Sequence, residues 1–307
     1  MSDARVAGSV TQVVAVVGPT AAGKSELGLA LAQVLGGEIV NADSMQLYRG
    51  MDIGTAKLPE AQRQGLPHHL LDVWDVTMTA TAAAYQQLCR TVIDGLLARG
   101  ITPILVGGSG LYLRAALDAL EFPGTDPDQR AALEAELARG GPEQLHARLA
   151  ALDAAAAGRM EPGNGRRVVR ALEVFALTGS VPGRMTSYDA QYPTCWLGLD
   201  RPDLADRIEA RVDRMWEDGL VEEIRRLEGH GLRDGVTASR ALGYGQVLAL
   251  LDGELDERAA REQTVVATRR YARRQRAWFR RDPRITWLPP QGSLGVAVAQ
   301  LGSAVRD

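Results

Sequence analysis

The sequence predicts an α/β fold, a mainly parallel sheet flanked by helices with a helical insertion in its middle. Three observations carry that expectation. Short β-branched runs alternate with stretches of helical period, a glycine-rich loop joins the first run to the first helical stretch, and strand signals vanish between about Thr125 and Ser187.

Val13 to Val17 is a continuous apolar run ending in Gly18, the pattern of a strand buried on both faces of a parallel sheet. Beyond Lys24 the period changes. Leu27, Ala30, Leu31 and Val34 fall at i, i+3, i+4 and i+7 and Gly36-Gly37 closes the stripe, which predicts an amphipathic helix. Further strands are predicted over Glu38 to Asn41, Leu70 to Trp74, Ile101 to Val106, Cys195 to Leu199 and Ile285 to Leu288, with helices between several of them. Tyr85, Leu88, Val92 and Leu96 mark the helix before Ile101, closed by Arg99-Gly100.

From about Thr125 to Ser187 the residues become Ala, Leu, Arg and Glu with scattered Gly and Pro. Turn-forming residues at Pro123-Gly124, Pro182-Gly183 and Tyr192-Pro193 bound the stretch. The expected organisation is a core over 1–124, a helical insertion over 125–190, and the rest of the core over 191–307.

A chain of 307 residues exceeds one typical domain. Its composition, 46% hydrophobic and 24% charged, is that of a globular protein and excludes a disordered or collagen-like chain. The net charge of −3 excludes the strongly basic balance of a small nucleic-acid-binding domain, so any attraction to phosphate is local. Cys89 and Cys195 stand far apart, without a second Cys or a His at zinc-ligand spacing, and read as buried thiols in a reducing compartment. The opening MSDARVAGSVTQ lacks the apolar region of a signal peptide and no run is long enough to span a bilayer. A cytoplasmic protein with no membrane contact is expected.

Gly18, Gly23, Lys24 and Ser25 meet the pattern G-x-x-x-x-G-K-[ST], between a predicted strand and a predicted helix. Glycines let the backbone wrap around phosphate oxygens, the amides and helix N-terminus supply positive potential, Lys24 adds a point charge, and Ser25 can ligate Mg²⁺. The core is therefore expected to resemble a P-loop NTPase. The competing reading is a chance glycine-rich turn, which the flanking strand and helix disfavour.

Asp43 directly follows the second predicted strand, so in a parallel sheet it emerges at the edge where the phosphate loop opens. A carboxylate there can accept a proton or reach Mg²⁺ through water, or it can simply cap a turn. Ser44, Gln46 and Tyr48 add polar groups for an acceptor. The strand Ile101 to Val106 runs into Gly107, Gly108, Ser109 and Gly110, where a nucleotide hydrolase would carry an acid to help hold Mg²⁺. None is present. Ser109 offers a hydroxyl near the phosphates or an N-cap.

Between Arg269 and Arg284 eight arginines face one acid, Asp282. Arg269, Arg273, Arg276 and Arg280 repeat at helical spacing with Tyr271, Trp278 and Phe279 interleaved, which favours a helix that grips a polyphosphate backbone over a solvated face of mixed sign. A second cluster, Arg166, Arg167 and Arg170, lies in the insertion, with Glu173 placed to pair with Arg170. His68 and His69 have no third ligand nearby in sequence and read as structural.

Together GPTAAGKS, Asp43-Ser44-Met45-Gln46-Leu47-Tyr48, MDIGTAK from Met51 to Lys57, PHHLLD, LVGGSGLYL, RRVVRALEV and SRALGYGQ make a chain that resembles the tRNA dimethylallyltransferases from about residue 13 to 288. The resemblance implies transfer of a dimethylallyl group from dimethylallyl diphosphate to N6 of the adenosine 3′-adjacent to the anticodon, tRNA position 37, with Mg²⁺ and without nucleotide hydrolysis. It implies that the loop Gly18, Pro19, Thr20, Ala21, Ala22, Gly23, Lys24 and Ser25 binds the diphosphate. Asp43 then accepts the N6 proton and Arg240 neutralises charge on the leaving group. Asp43, Ser44, Met45, Gln46, Ser109, Arg130 and Arg166, Arg167, Val168, Val169 and Arg170 would contact the tRNA anticodon stem-loop or fix the reacting groups. The adenosine must leave its stack, at a cost of a few kcal/mol, and the two Arg clusters would offset it.

With Lys24 and Arg240 beside it, Asp43 is expected to be a weak base that accepts the proton late. Two departures from the family pattern stand out. Ser109 occurs where the family usually has Thr, and EPGNGRR, Glu161 to Arg167, lacks an Asp between Asn and the arginines. A monomer is expected. The other readings are the same transfer to a free adenine nucleotide, which needs neither Arg cluster; a small-molecule kinase, which turns over ATP; and a tRNA-binding protein without catalysis.

Overall fold

A computed structural model describes residues 12–183 and 187–304; the stretch before Gln12 lies outside them. The chain divides into two compact units, one made of residues 1–118 and 190–307 and one of Ala119–Asp189.

In the larger unit the strands are β1 (Val13–Val17), β2 (Glu38–Asn41), β3 (His68–His69), β4 (Pro103–Gly107), β5 (Thr194–Leu199) and β6 (Ile285–Leu288). All pair in parallel, in the order β3-β2-β4-β1-β5-β6. The helices are α1 (Lys24–Leu35), α2 (Ala82–Ala98) and α3 (Gly110–Leu117), then, in the smaller unit, α4 (Pro127–Leu152), α5 (Ala154–Ala157) and α6 (Gly165–Thr178). Back in the larger unit follow α7 (Leu204–Glu217), α8 (Leu220–Glu228), α9 (Tyr244–Leu251), α10 (Glu257–Phe279) and α11 (Ser293–Ala304).

The β-branched run of β1 is central and every residue in it is buried, because its two faces meet different layers. Val13, Ala15 and Val17 pack with α2 residues such as Tyr85 and Ile93, whereas Val14 and Val16 pack with Leu27 and Leu31 of α1 and Ile208 of α7. Alternation of side chains across the strand produces this split. Both cysteines are buried and free.

The expected strand Leu70 to Trp74 does not form. Leu70 and Asp72 take left-handed φ angles of 61° and 57°, and the adjoining strand is only His68–His69. The segment is held instead by side chains, through Asn41 Nδ2 on the Leu70 carbonyl (2.9 Å) and Lys57 Nζ on Asp72 (2.6 Å). Tertiary bonds have overridden the local strand propensity of Leu and Val.

In the smaller unit α4, kinked at Gly141 (φ 75°), packs with α5 and α6 around Leu133, Leu145, Leu149, Val168 and Leu172. The smaller unit begins at Ala119, earlier than the expected border at 125. Among the described residues no helix is long and apolar enough to cross a membrane.

Candidate active site

The C-terminal ends of β1, β2 and β4 open into one cavity, lined among others by Thr20, Lys24, Ser25, Asp43, Gln46 and Gln275. The phosphate loop must pass close to β5, since a Cβ on Gly18 (φ 140°) would sit 2.2 Å from the Leu199 carbonyl oxygen. Only glycine fits there. α1 starts at Lys24 directly behind Gly23, so its first amides face the cavity. Lys24 Nζ donates to the Pro19 carbonyl (2.8 Å). Burial lowers its pKa to about 8, with Arg211 adding to the fall and Asp43 opposing it.

Asp43 is set by Asn41, the last residue of β2. Asn41 Oδ1 accepts from Asp43 N (2.9 Å), and its Nδ2 donates to the carbonyls of Asp43 (3.0 Å) and Leu70 (2.9 Å). Asp43 Oδ1 accepts from Met45 N (3.0 Å), so the carboxylate does brace a turn and still lines the cavity. Burial raises its pKa in spite of the Met45 amide, Lys24 and Arg211. The expectation of a weak base is thus corrected, because desolvation outweighs the neighbouring cations.

Ser109 occupies the N-cap position of α3 without capping it. Its Oγ accepts from Ser44 N (3.2 Å) and donates to Ser44 Oγ (3.3 Å), tying β4's exit to the segment after β2. Tyr271 of α10 is pushed up to about 12 by burial, with Asp43 adding to the rise. Gln46 Nε2 donates to the Thr55 carbonyl (3.1 Å), which places the MDIGTAK segment along the cavity wall. That segment is anchored by buried Glu223, which accepts from the amides of Asp52 (3.0 Å), Ile53 (2.7 Å) and Gly54 (3.2 Å) and from Tyr244 Oη (2.6 Å).

Arg240 stands exposed on the short turn Ala238–Arg240 and is not among the residues lining the cavity. The guanidiniums in that wall belong to α7. Arg207 Nε donates to the Ala21 carbonyl (2.8 Å) and Arg211 Nη1 to Thr20 Oγ1 (3.2 Å). Their i, i+4 spacing after the Cys195 strand is a sequence signal, but it points at the loop only once β5 is known to lie beside β1. Gln275 was equally hidden.

The arginine stripe also differs from expectation. Arg276 and Arg280 pair with Asp200 (2.7 and 3.2 Å) and Arg269 with Glu209 (2.6 Å), because that face of α10 turns toward α7 and the end of β5. Arg273 is exposed beside them, Arg270 and Arg274 carry a further exposed basic side of the same helix, and exposed Arg281 lies just past its end. In the smaller unit Val168 and Val169 are 0% and 2% exposed, so their side chains are core and not an RNA surface. Arg170 and Arg130 both grip Glu173, which is fully buried, and Arg170 also holds the carbonyls of Pro123 and Gly124. Arg166 and Arg167 remain exposed. His68 and His69 bond to the Leu66 carbonyl (2.9 Å) and Glu38 (2.6 Å), and among the described residues no cluster of three or more His, Cys, Asp or Glu is placed to hold a metal.

The family model described as IPP transferase matches residues 46–282. The chain belongs to the IPP transferase family. A Streptomyces coelicolor protein named tRNA dimethylallyltransferase is 64% identical over 280 residues, 90% of each chain. One of the same name from Thermobifida fusca is 62% identical over 288 residues, covering 91% of this chain and 90% of the other. The crystal structure of a full-length tRNA isopentenylpyrophosphate transferase from Bacillus halodurans is 38% identical, with TM-score 0.71 over 96% of this chain and 98% of that one. A eukaryotic dimethylallyltransferase captured acting on tRNA is 28% identical, with TM-score 0.77 over 92% of this chain and 74% of that one. The family's P-loop core and this chain's parallel sheet are the same fold, as the first of these structures shows.

Proposed function

We propose that this enzyme transfers the dimethylallyl group of dimethylallyl diphosphate to N6 of the adenosine at position 37 of tRNA, releasing diphosphate. The observation that carries the reading is a cavity that sets a phosphate loop, with Lys24 and Arg211, against a half-buried Asp43 whose pKa is raised. The names of relatives at above 60% identity point the same way.

In this reading the loop amides, Lys24 and Arg211 hold the diphosphate. The N6–C1 bond forms as the C1–O bond breaks, the electron pair leaves on the diphosphate oxygen, and Asp43 takes the N6 proton. A carboxylate with a raised pKa suits that task better than an ordinary one. The Ser25 hydroxyl, exposed in the cavity, is a hard oxygen donor that fits Mg²⁺, which keeps most of its other ligands from phosphate and water. When bound, the ion would add positive charge beside the leaving group. Arg166, Arg167 and the exposed side of α10 would meet the phosphates of the anticodon stem-loop, and the protein would act as a cytoplasmic monomer. No acid stands at the exit of β4, in keeping with a step that breaks a carbon–oxygen bond and hydrolyses no nucleotide.

Purified protein with Mg²⁺ and labelled dimethylallyl diphosphate tests the reading when offered tRNA or AMP. Label in tRNA is expected; label in AMP alone, or phosphate transfer from ATP, overturns it.

A further inference from the structure

We propose that Lys57 is a positioning residue for the transfer, a buried clamp that assembles the cavity wall built from MDIGTAK and from the segments after β2 and β3. The proposal rests on the dimethylallyl transfer above only for its activity readout. Lysine is rare in this chain, since Lys24 and Lys57 are the two lysines among 35 basic side chains and the rest are arginines. Lys24 serves the phosphate loop. Lys57 takes no part in that loop, and its side chain is only 3% exposed. Its Nζ donates to the Tyr48 carbonyl (2.9 Å), to Asp52 Oδ1 (2.6 Å) and to Asp72 Oδ1 (2.6 Å). An ammonium carries three N–H groups on one atom, and here each finds an acceptor on a different stretch of chain. A planar guanidinium cannot converge on three oxygens in that way, which fits a lysine at this place in a chain that otherwise uses arginine.

Those three stretches meet at the cavity. Gln46, two residues before Tyr48, lines it, as do Thr55, Ala56 and Leu58 around Lys57 and Leu71 beside Asp72, whereas Lys57 itself is not among the lining residues. Local preference does not put them there. Ala56, Leu70 and Asp72 take left-handed φ angles of 51°, 61° and 57°, which residues other than glycine keep only where the surrounding bonds over-determine them. Asn41 holds Leu70. Lys57 holds Asp72, and it closes MDIGTAK on itself through the Asp52 carboxylate and through its own amide on the Asp52 carbonyl (2.9 Å). Gln46 Nε2 donates to the Thr55 carbonyl (3.1 Å) and Asp72 N to the Gln46 carbonyl (3.3 Å), so a shift of one stretch carries the others. Tyr48 N bonds the Met45 carbonyl (3.3 Å) and Met45 N bonds Asp43 (3.0 Å), so the grip on the Tyr48 carbonyl reaches the turn that carries the base.

The phosphate loop is held by other groups, Lys24 on the Pro19 carbonyl, Arg207 on the Ala21 carbonyl and Arg211 on Thr20. Without the Lys57 ammonium the Tyr48 carbonyl loses a donor, and Asp52 and Asp72 are left as two like charges around an empty centre. The wall then loosens while the loop stays formed. Positioning is what suffers, because a displacement of about 1 Å between reacting groups costs about 10²-fold in rate.

The test compares the full-length protein with Lys57→Met, which keeps the length of the side chain without its charge, and Asp72→Asn, which suits the left-handed backbone at that position but loses the carboxylate. Amide hydrogen exchange, calorimetric binding of inorganic diphosphate with Mg²⁺, and kcat/KM for dimethylallyl transfer to tRNA are measured on each. In Lys57→Met exchange should quicken over 46–58 and 70–74 and stay unchanged over 18–25, with diphosphate affinity unchanged. Transfer should fall by about 10–10²-fold. Asp72→Asn should show the same pattern with a severalfold fall, and because the Asp72 side chain is 42% exposed it covers the case in which Lys57→Met is not recovered. Diphosphate affinity that falls in step with transfer, exchange that quickens equally over 18–25, or transfer unchanged in the recovered variants overturns the proposal. An unsubstituted protein that does not modify tRNA would sink the proposed function instead, and the exchange pattern would then decide the clamp by itself.

Discussion

Two charged regions of this molecule look alike in sequence and differ in what their charges face. At the phosphate loop Lys24 bonds to a backbone carbonyl and Arg211 to a hydroxyl, and burial lowers the pKa of both. On α10, Arg269, Arg276 and Arg280 are matched to Glu209 and Asp200. Cations that are desolvated and lack a carboxylate partner gain most from an incoming anion. Cations already paired have little left to offer, so counting arginines overstates the second region.

The largest effect should come from the loop side. Asp43→Asn keeps an acceptor for the Met45 amide but removes the base, and transfer should fall by about 10²–10⁴-fold while tRNA binding measured by filter retention persists. The raised pKa of Asp43 means that its ionised form opposes folding. That favours the protonated protein at low pH, and the advantage disappears as pH rises through the folded pKa. The same substitution should therefore raise Tm at neutral pH. Arg211→Ala should lower kcat/KM for dimethylallyl diphosphate by about 10²-fold, the scale of one donor to a developing charge.

Glu223→Gln replaces a carboxylate serving four donors with an amide that can serve them only in part. A loss of about 3 kcal/mol in a denaturant titration is expected, with a higher KM for the donor because Thr55 and Ala56 line the cavity. The smallest effect sharpens the comparison. Arg274→Ala on the exposed side of α10 should reduce the salt slope of tRNA affinity by about 1. Arg276→Ala should leave the slope nearly unchanged and lower stability instead, because it strips Asp200 of its nearest partner.

What was legible in the sequence follows the same physics. The loop Gly18 to Ser25 could be read because phosphate binding demands glycines, an amide-rich turn and a helix start within a few contiguous residues. Asp43 and Ser109 could be read because strand ends in a parallel sheet converge on one edge. Arg207, Arg211 and Gln275 could not, since they meet the loop across 186 to 255 residues of chain and only through the placement of β5 beside β1 and of α10 against both glycine-rich loops. Leu70 to Trp74 has a strand's composition, but Asn41 and Lys57 hold it in another path. The ion pairs of the arginine stripe were not legible, because its carboxylate partners lie 60 to 80 residues away.

The central claim is that the two half-buried ionisable groups at the loop, Lys24 as cation and Asp43 as base, carry the transfer. The pH dependence of kcat/KM for dimethylallyl transfer to tRNA tests it most directly, because it reports groups of the free enzyme. Activity should rise through a pKa above the usual aspartate range as Asp43 loses its proton, and fall near pH 8 as Lys24 does, with the acid limb gone in Asp43→Asn. A profile with no limb near 8, or an acid limb that survives Asp43→Asn, would contradict the account.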